Sequence, residues 1–260
     1  MKILVTVKEV TVLDDEFEIA DGIDDRYVTR ELNEWDEYAV EAAVRIQEAG
    51  EDVEVVTVTI GPDGTEETIR KALAKGPDRA IRVWDDALAD AGLLDPETKA
   101  RLLAGVAATE DPDLVLTGVQ SADDGFGATG VTLAEKLGFA WAAVVNDLEL
   151  DREAGVASVH RELEGGIEEL TDVELPAVLT IQTGINDPRY ASLRGIRDAR
   201  TKDLAVWTLD DIGLSAADAG SPLTQTALYK PESDGEATLF EGEEAATELA
   251  SLLREKGVGQ

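Results

Sequence analysis

The sequence predicts an α/β protein: a Rossmann-like open parallel sheet with helices on both faces. Apolar, strand-like runs alternate with helix-like segments over roughly the first 140 residues, a pattern typical of parallel sheets covered by helices. The chain has 260 residues and an apolar fraction of 43%, which is enough for a sizeable core. A β-rich segment and a C-terminal arm are predicted to follow this part.

The alternation begins with the first residues. Residues 3–7 form a short apolar run, and apolar residues then recur at helical spacing over 35–48, until Gly50 ends the pattern. The β-branched run at 53–60 predicts a buried parallel strand. Thr65 stands where it can cap the next helix, which is predicted to end at residue 75. Two more strands are predicted at 80–84 and 113–117, and two more helices at 96–108 and 128–137.

Beyond residue 140 or so, strands follow one another with turns between them. Four strands are predicted, at 142–150, 156–163, 167–173 and 177–183. The chain from about residue 210 is rich in Asp, Ala, Gly and Ser, and we expect an extended acidic tail there with a short helix at 243–254.

The charge is strongly negative. Lys and Arg number 23 against 56 Asp and Glu, for a formal net charge of −33. Such a surface repels nucleic acid and anionic membranes. The sequence contains no run of 18 apolar residues, so no membrane-spanning helix is predicted. We expect a cytoplasmic protein without a nucleic-acid partner. The acidity is interpreted as adaptation to a high-salt, halophilic cytoplasm, where the repulsion is screened; an acidic face for a basic partner is the alternative.

Side chains suited to covalent catalysis are scarce. The chain has no cysteine and one histidine, His160, which lies in a strand-like segment and is interpreted as structural. Thiol chemistry, disulfides and cysteine metal sites are thereby excluded. No catalytic residue and no metal site is predicted.

The best candidate for ligand binding is the glycine-rich stretch 118–130, between a predicted strand and a predicted helix. Glycines let a backbone approach a phosphate, and the free amides at a helix start can hold it. No Gly-Lys-Ser/Thr of a phosphate-binding P-loop is present, and Asp123 and Asp124 would repel a phosphate unless they point away or cap the helix. Nucleotide binding and an ordinary turn both remain open. The loops 6–9 and 59–62 could line the same pocket.

A second unusual stretch, 189–200, clusters four arginines in this acidic chain. A solvated helix end explains it, and so does a docking segment, whose positive charge departs from that of the rest of the protein.

These stretches together resemble the beta subunit of electron transfer flavoprotein. The resemblance covers about residues 1–207 and is carried by VTVKEV at 5–10, NEWDEYAVEA at 33–42, IGP at 60–62 with ETIRKALAKG at 67–76, and the segment 113–130. RELEGG at 161–166, LPAVLT at 175–180 and NDPRYASL at 186–193 extend it.

The resemblance implies a heterodimer with an alpha subunit that holds FAD. The heterodimer would take electrons from flavin dehydrogenases, such as the acyl-CoA dehydrogenases of fatty acid oxidation, and pass them to a membrane quinone oxidoreductase. It implies an electron carrier rather than an enzyme, with AMP bound in the beta subunit. The cofactor-binding residues carried over are Thr6, Asn33, Glu34, Trp35, Asp36, Ile60, Gly118, Val119, Gln120, Ser121, Ala122, Asp123, Asp124, Gly125, Phe126, Gly127, Ala128 and Thr129.

The resemblance also implies two regions of contact. Residues 1–207 would form the nucleotide-binding α/β domain, with a partner-recognition loop at 181–203, and residues 208–260 an acidic C-terminal arm on the alpha subunit. The recognition residues are Arg189, Tyr190, Leu193, Arg194, Ile196 and Arg197, with Leu193 as the apolar anchor.

Two departures from the family pattern keep alternatives open. Members usually have Asn-Pro at 33–34, where this chain has Asn-Glu, and often Asn-Gln-Thr-Gly at 127–130, where it has Gly-Ala-Thr-Gly. A second FAD in place of AMP would make the chain a component of an electron-bifurcating, NADH-oxidising enzyme. A homodimeric nucleotide-binding protein of the universal-stress type, sharing only the fold, is the third hypothesis.

Overall fold

The computed structural model describes residues 1–19, 22–230, 238–240, 242 and 244–258. The chain divides into two compact units, Met1–Ala227 and Leu228–Gln260. The first unit holds almost all of the regular structure. The described part of the second contains one helix, and the predicted start of that helix, Glu243, lies outside the described residues.

The strands are β1 (Lys2–Thr6), β2 (Glu9–Leu13), β3 (Val28–Leu32), β4 (Glu54–Ile60), β5 (Arg79–Val83), β6 (Leu114–Gly118), β7 (Ala140–Asp151), β8 (Val156–Leu163), β9 (Ile167–Glu174), β10 (Ala177–Ile181) and β11 (Leu204–Trp207). The helices are α1 (Glu34–Ala49), α2 (Glu66–Leu73), α3 (Asp86–Ala89), α4 (Pro96–Glu110), α5 (Thr129–Leu137), α6 (Leu193–Ala199) and α7 (Ala245–Glu255). Among the described residues, no helix is long and apolar enough to cross a membrane.

A nine-stranded sheet in the order β11-β5-β4-β1-β6-β10-β7-β8-β9 forms the centre of the first unit. The strands from β11 to β7 pair in parallel, and β8 and β9 continue the sheet antiparallel. Strand β10 lies between β6 and β7, with Leu179 opposite both Leu116 and Ala142. The predicted α/β fold is therefore confirmed, and the β-rich segment extends the same sheet.

Helices cover both faces of this sheet, because alternate residues of each buried strand point to opposite sides. On one face, Ile3 and Val5 of β1 share a core with Ala39 and Val40 of α1. On the other face, Leu4 belongs to a second core with residues of α4 and α5.

Several elements differ from the sequence-based expectations. The hairpin of β2 and β3 was not predicted; its strands are short, pair only with each other and are partly exposed. The short helices α3 and α6 and the short edge strand β11 were also missed. The expected cap is wrong: the Thr65 hydroxyl donates to Pro62 O (2.8 Å) and does not cap α2. Buried Leu209 and Ile212 place the start of the predicted arm in the core of the first unit.

Candidate functional site

A cavity of about 260 Å³ opens at the carboxyl ends of β1, β4 and β6, the edge where ligands bind in open α/β sheets. Its wall includes predicted residues from these three strand ends, from the loops after them and from the start of α1: Thr6, Asn33, Asp36, Ile60, Gly118, Val119, Gln120, Ser121, Asp124, Gly127, Ala128 and Thr129. The structure thus brings together residues that are more than 100 positions apart in the chain.

The remaining predicted cofactor residues lie beside the cavity and not in its wall: Glu34, Trp35, Ala122, Asp123, Gly125 and Phe126. Trp35 donates from its indole nitrogen to Gln182 Oε1 (3.2 Å). Asp123 contacts the wall through Lys8.

Sequence reasoning missed several residues of the wall: Val58, Gly92, Leu93, Leu94, Lys99, Leu103 and Thr117. Val7 and Lys8 belong to the loop 6–9, which the sequence indicated as part of the pocket. Gly92, Leu93 and Leu94 precede α4, and Lys99 and Leu103 lie on it; nothing in their local pattern indicated that they close the cavity.

Asn33 and Asp36, at the start of α1, anchor the loop after β6. The Asn33 side chain donates to Gln120 O (2.9 Å) and accepts from Ala122 N (3.2 Å). Asp36 accepts from Lys8 N (2.8 Å) and from Gly118 N (3.1 Å), so it joins the ends of β1 and β6. Burial raises the pKa of Asp36 to about 7, against the opposing effect of these hydrogen bonds.

Gly118 permits the close approach of this loop to α1. A Cβ at this position would lie 2.6 Å from Asp36 Oδ1 and 2.7 Å from Trp35 Cβ. A side chain here would therefore separate Asp36 from the end of β6.

Two lysines neutralise the acidic pair that the sequence marked as repulsive to phosphate. Lys8 contacts both Asp123 and Asp124, and Lys99 contacts Asp124. Burial opposes the ionisation of Asp124, but hydrogen bonds from Lys99 and Ser121, with the two lysine charges, lower its pKa to about 2.

The donors of the wall fit a phosphate-bearing nucleotide. No side-chain hydrogen bond caps the start of α5, so the amides of its first turn can donate to a ligand from the positive end of the helix. Lys8, Lys99 and Thr129 lie in the same wall, and Val7, Leu93 and Leu103 supply apolar surface for a base. A class of protein is defined by this arrangement: an α/β domain with a candidate ligand site at the carboxyl edge of its sheet.

The predicted recognition residues divide into an anchor and an exposed patch. Arg189 Nε donates to Glu41 Oε2 (2.7 Å), and its Nη1 and Nη2 donate to Glu48 (2.6 and 2.9 Å). Tyr190 and Leu193 are 99% and 86% exposed. Arg194, Ile196 and Arg197 are exposed as well, so this recognition patch (Tyr190, Leu193, Arg194, Ile196 and Arg197) is apolar and cationic.

Comparison with known proteins gives the family. A family model described as "Electron transfer flavoprotein domain" matches residues 22–212. The chain is 46% identical to the "Electron transfer flavoprotein subunit beta" of Methylophilus methylotrophus, over 98% of both chains. It is 38% identical to the mitochondrial subunit beta of Arabidopsis thaliana, covering 82% of this chain and 83% of that one. It is also 34% identical to "Caffeyl-CoA reductase-Etf complex subunit CarD" of Acetobacterium woodii, over 87% of each. The chain belongs to the electron transfer flavoprotein family, among its beta subunits.

Proposed function

We propose that this chain is the beta subunit of a heterodimeric electron carrier. Its partner is an alpha subunit that holds FAD, its electron donors are flavin dehydrogenases such as acyl-CoA dehydrogenases, and its acceptor is a membrane quinone oxidoreductase. The similarity to beta subunits over 98% of the chain supports this assignment. We set aside the hypothesis of a universal-stress-type protein. Such a protein would share only the α/β fold with the electron transfer flavoprotein family, whereas this chain matches that family in sequence.

The observation that carries the choice of nucleotide is the cavity at the ends of β1, β4 and β6. Its volume of about 260 Å³ lies just below the range of roughly 300–1,000 Å³ for small-molecule pockets, which favours a mononucleotide over a dinucleotide. We therefore assign AMP to this cavity. The α5 amides and Thr129 would hold the phosphate, while Asn33 and Asp36 keep the loop after β6 in place.

The flavin supplies the redox chemistry when it is bound, and this chain supplies position and recognition. The recognition patch suits a transient encounter, because exposed Leu193 offers a small apolar anchor and the arginines a charged rim. The C-terminal arm is assigned to the alpha subunit. We interpret the acidic surface as an adaptation to a high-salt cytoplasm.

Two observations favour a second candidate function. The relative from Acetobacterium woodii is named as part of a caffeyl-CoA reductase–Etf complex, and Gly127 and Ala128 offer no polar side chain that could reach a phosphate. A second FAD in this cavity, with NADH as the reductant, would make the chain part of an electron-bifurcating enzyme.

One experiment separates the two candidates. The chain is co-purified with its alpha subunit in molar salt, the complex is denatured, and the released nucleotides are quantified. One FAD and one AMP per heterodimer are expected. Two FAD without AMP would replace the simple carrier by the bifurcating function, and the absence of flavin would refute both.

A further inference from the structure

The two lysines of the cavity are already engaged with anions of the chain itself: Lys8 contacts Asp123, and both lysines contact Asp124. Asp124 Oδ2 lies 3.2 Å from Lys8 Nζ and in direct contact with Lys99 Nζ. Its other oxygen accepts from Ser121 Oγ (2.7 Å). The Lys99 side chain is 15% exposed and the Lys8 side chain 32%. The contact of Asp124 with Lys99 is therefore stronger than a surface ion pair.

The same lysines are the cations that a phosphate would meet. Of the described residues that line the cavity, only Lys8 and Lys99 carry a positive charge. The chain as a whole carries a net charge of −33, so no excess of cations elsewhere compensates for a bound phosphate. A nucleotide phosphate and the Asp124 carboxylate therefore require the same ammonium groups.

The backbone allows Asp124 to leave without loss of the anchored part of the loop. Asn33 holds the loop at Gln120 and Ala122, before Asp124. After it come Gly125 and Gly127, both with φ of +61°, and glycine changes between such conformations and ordinary ones at little cost.

We propose that Asp124 competes with the nucleotide phosphate for Lys8 and Lys99, so that nucleotide binding exchanges one anion for another at these two ammonium groups. The inference rests on the proposed nucleotide function and adds that the chain sets its own nucleotide affinity through Asp124. Because the pKa of Asp124 is about 2, the competitor is ionised at every pH at which the protein works.

The alternative role for Asp124 is to support nucleotide binding. If Asp124 braces the two lysines in the orientation that a phosphate needs, its removal weakens nucleotide binding. The two roles predict changes of opposite sign, so Asp124→Asn decides between them. Asparagine keeps the size of the side chain and an oxygen for the Ser121 hydroxyl, while the charge is lost.

The test uses the heterodimer with its nucleotide. Labelled AMP is bound, and the equilibrium Kd and the dissociation rate in an unlabelled chase are measured for wild type and Asp124→Asn. Competition predicts a Kd roughly tenfold lower in the variant, which corresponds to about 1.4 kcal/mol, with slower dissociation. An unchanged or higher Kd would overturn the inference. If FAD is the released nucleotide, the same chase is run with FAD.

Two further variants sharpen the result. Lys99→Gln should weaken binding, because it removes a cation that the phosphate needs. Glu97→Gln removes one negative charge from the same helix at a position paired with Lys136, outside the cavity, and should leave the Kd unchanged. An equal gain in Glu97→Gln would mean that the net charge, and not Asp124, limits affinity.

The same measurements distinguish failure of the proposed nucleotide function from failure of the competition alone. If neither wild type nor Asp124→Asn binds a nucleotide, both proposals fail. If wild type binds and the variant does not bind more tightly, only the competition fails. A structure of the nucleotide-bound heterodimer gives an independent check, because the Lys99–Asp124 ion pair should be broken there.

Discussion

The segments that follow β6 and β10 leave the sheet side by side, since these strands are paired neighbours, yet one encloses a cavity and the other presents a surface. The loop 118–128 is tied by Lys8, which follows β1, and by Lys99 on α4. The segment 182–192 is tied through Arg189 to Glu41 and Glu48, both on α1. Where the charged anchor lies thus decides whether a loop folds over the strand ends or along a helix.

Each of the two segments also contacts a carboxyl group of α1, and the pKa values of these two groups are shifted in opposite directions. Burial raises the pKa of Asp36 beside the cavity loop, whereas the pKa of Glu41 is lowered, because hydrogen bonds from Arg189 and Arg45 outweigh its burial.

The largest effect is expected from Asp36. With a pKa of about 7 in the folded state and 3.8 as the ordinary value, the folded protein binds a proton that the unfolded chain has lost between these pH values. Stability relative to Asp36→Asn should therefore fall as pH rises from 4 to 7, by at most about 1.4 kcal/mol per pH unit, and stay constant above pH 7. Denaturant unfolding of both proteins across this range measures it; parallel curves would contradict the raised pKa.

Arg189→Ala tests the anchor on α1. The change removes the guanidinium and leaves buried Glu41 with Arg45 and the backbone N–H of residue 189 as partners. The free energy of unfolding should drop by roughly 3 kcal/mol at pH 7. Arg194→Ala, at a side chain that is 87% exposed, is the matched control and should change stability by less than about 0.5 kcal/mol.

The same pair of proteins checks the sign of the Glu41 shift. A lowered pKa stabilises the folded state above the ordinary Glu value of 4.5, and this stabilisation is lost as pH falls below it. The difference between wild type and Arg189→Ala should shrink in acid. A difference that grows on acidification would show that the anchor does not depend on the ionised Glu41.

Gly118→Ala tests the close approach of the cavity loop to α1. The added Cβ would meet Asp36 and Trp35 at 2.6 and 2.7 Å, and such overpacking costs about 2 kcal/mol. Nucleotide affinity should fall with stability. Gly64→Ala adds the same methyl group where no atom lies within 4 Å; equal losses in the two variants would exclude a steric cause.

Leu193→Ala should have the smallest effect on stability, below about 0.5 kcal/mol, because the side chain is exposed. If the recognition patch docks the donor, the rate of electron transfer from a flavin dehydrogenase to the heterodimer should still fall. Leu170→Ala on β9, at an 82% exposed leucine, should leave that rate unchanged. Equal rates in both variants would remove Leu193 from the docking surface.

Local sequence patterns predicted much of the molecule. The alternation of apolar runs gave the α/β class and most elements of the parallel sheet, because periodicity reports which face of a segment is buried. The glycine-rich stretch at 118–130 indicated the loop of the cavity for a similar reason, since glycine marks positions where the backbone must approach something closely. Short or partly exposed elements were missed, namely β2, β3, β11, α3 and α6.

The tertiary structure decided what depends on partners distant in the chain. The sequence alone determined that a sheet with helices and a glycine-rich loop at its edge would form. Only the folded chain placed β10 between β6 and β7, brought Lys99 to Asp124, and paired Arg189 with Glu41 148 residues away. Strand order and ion pairs arise from long-range packing, which leaves no periodic pattern in the sequence. Asp124, whose charge would repel a phosphate when the sequence is considered alone, anchors a loop in the folded chain because Lys8 and Lys99 lie beside it.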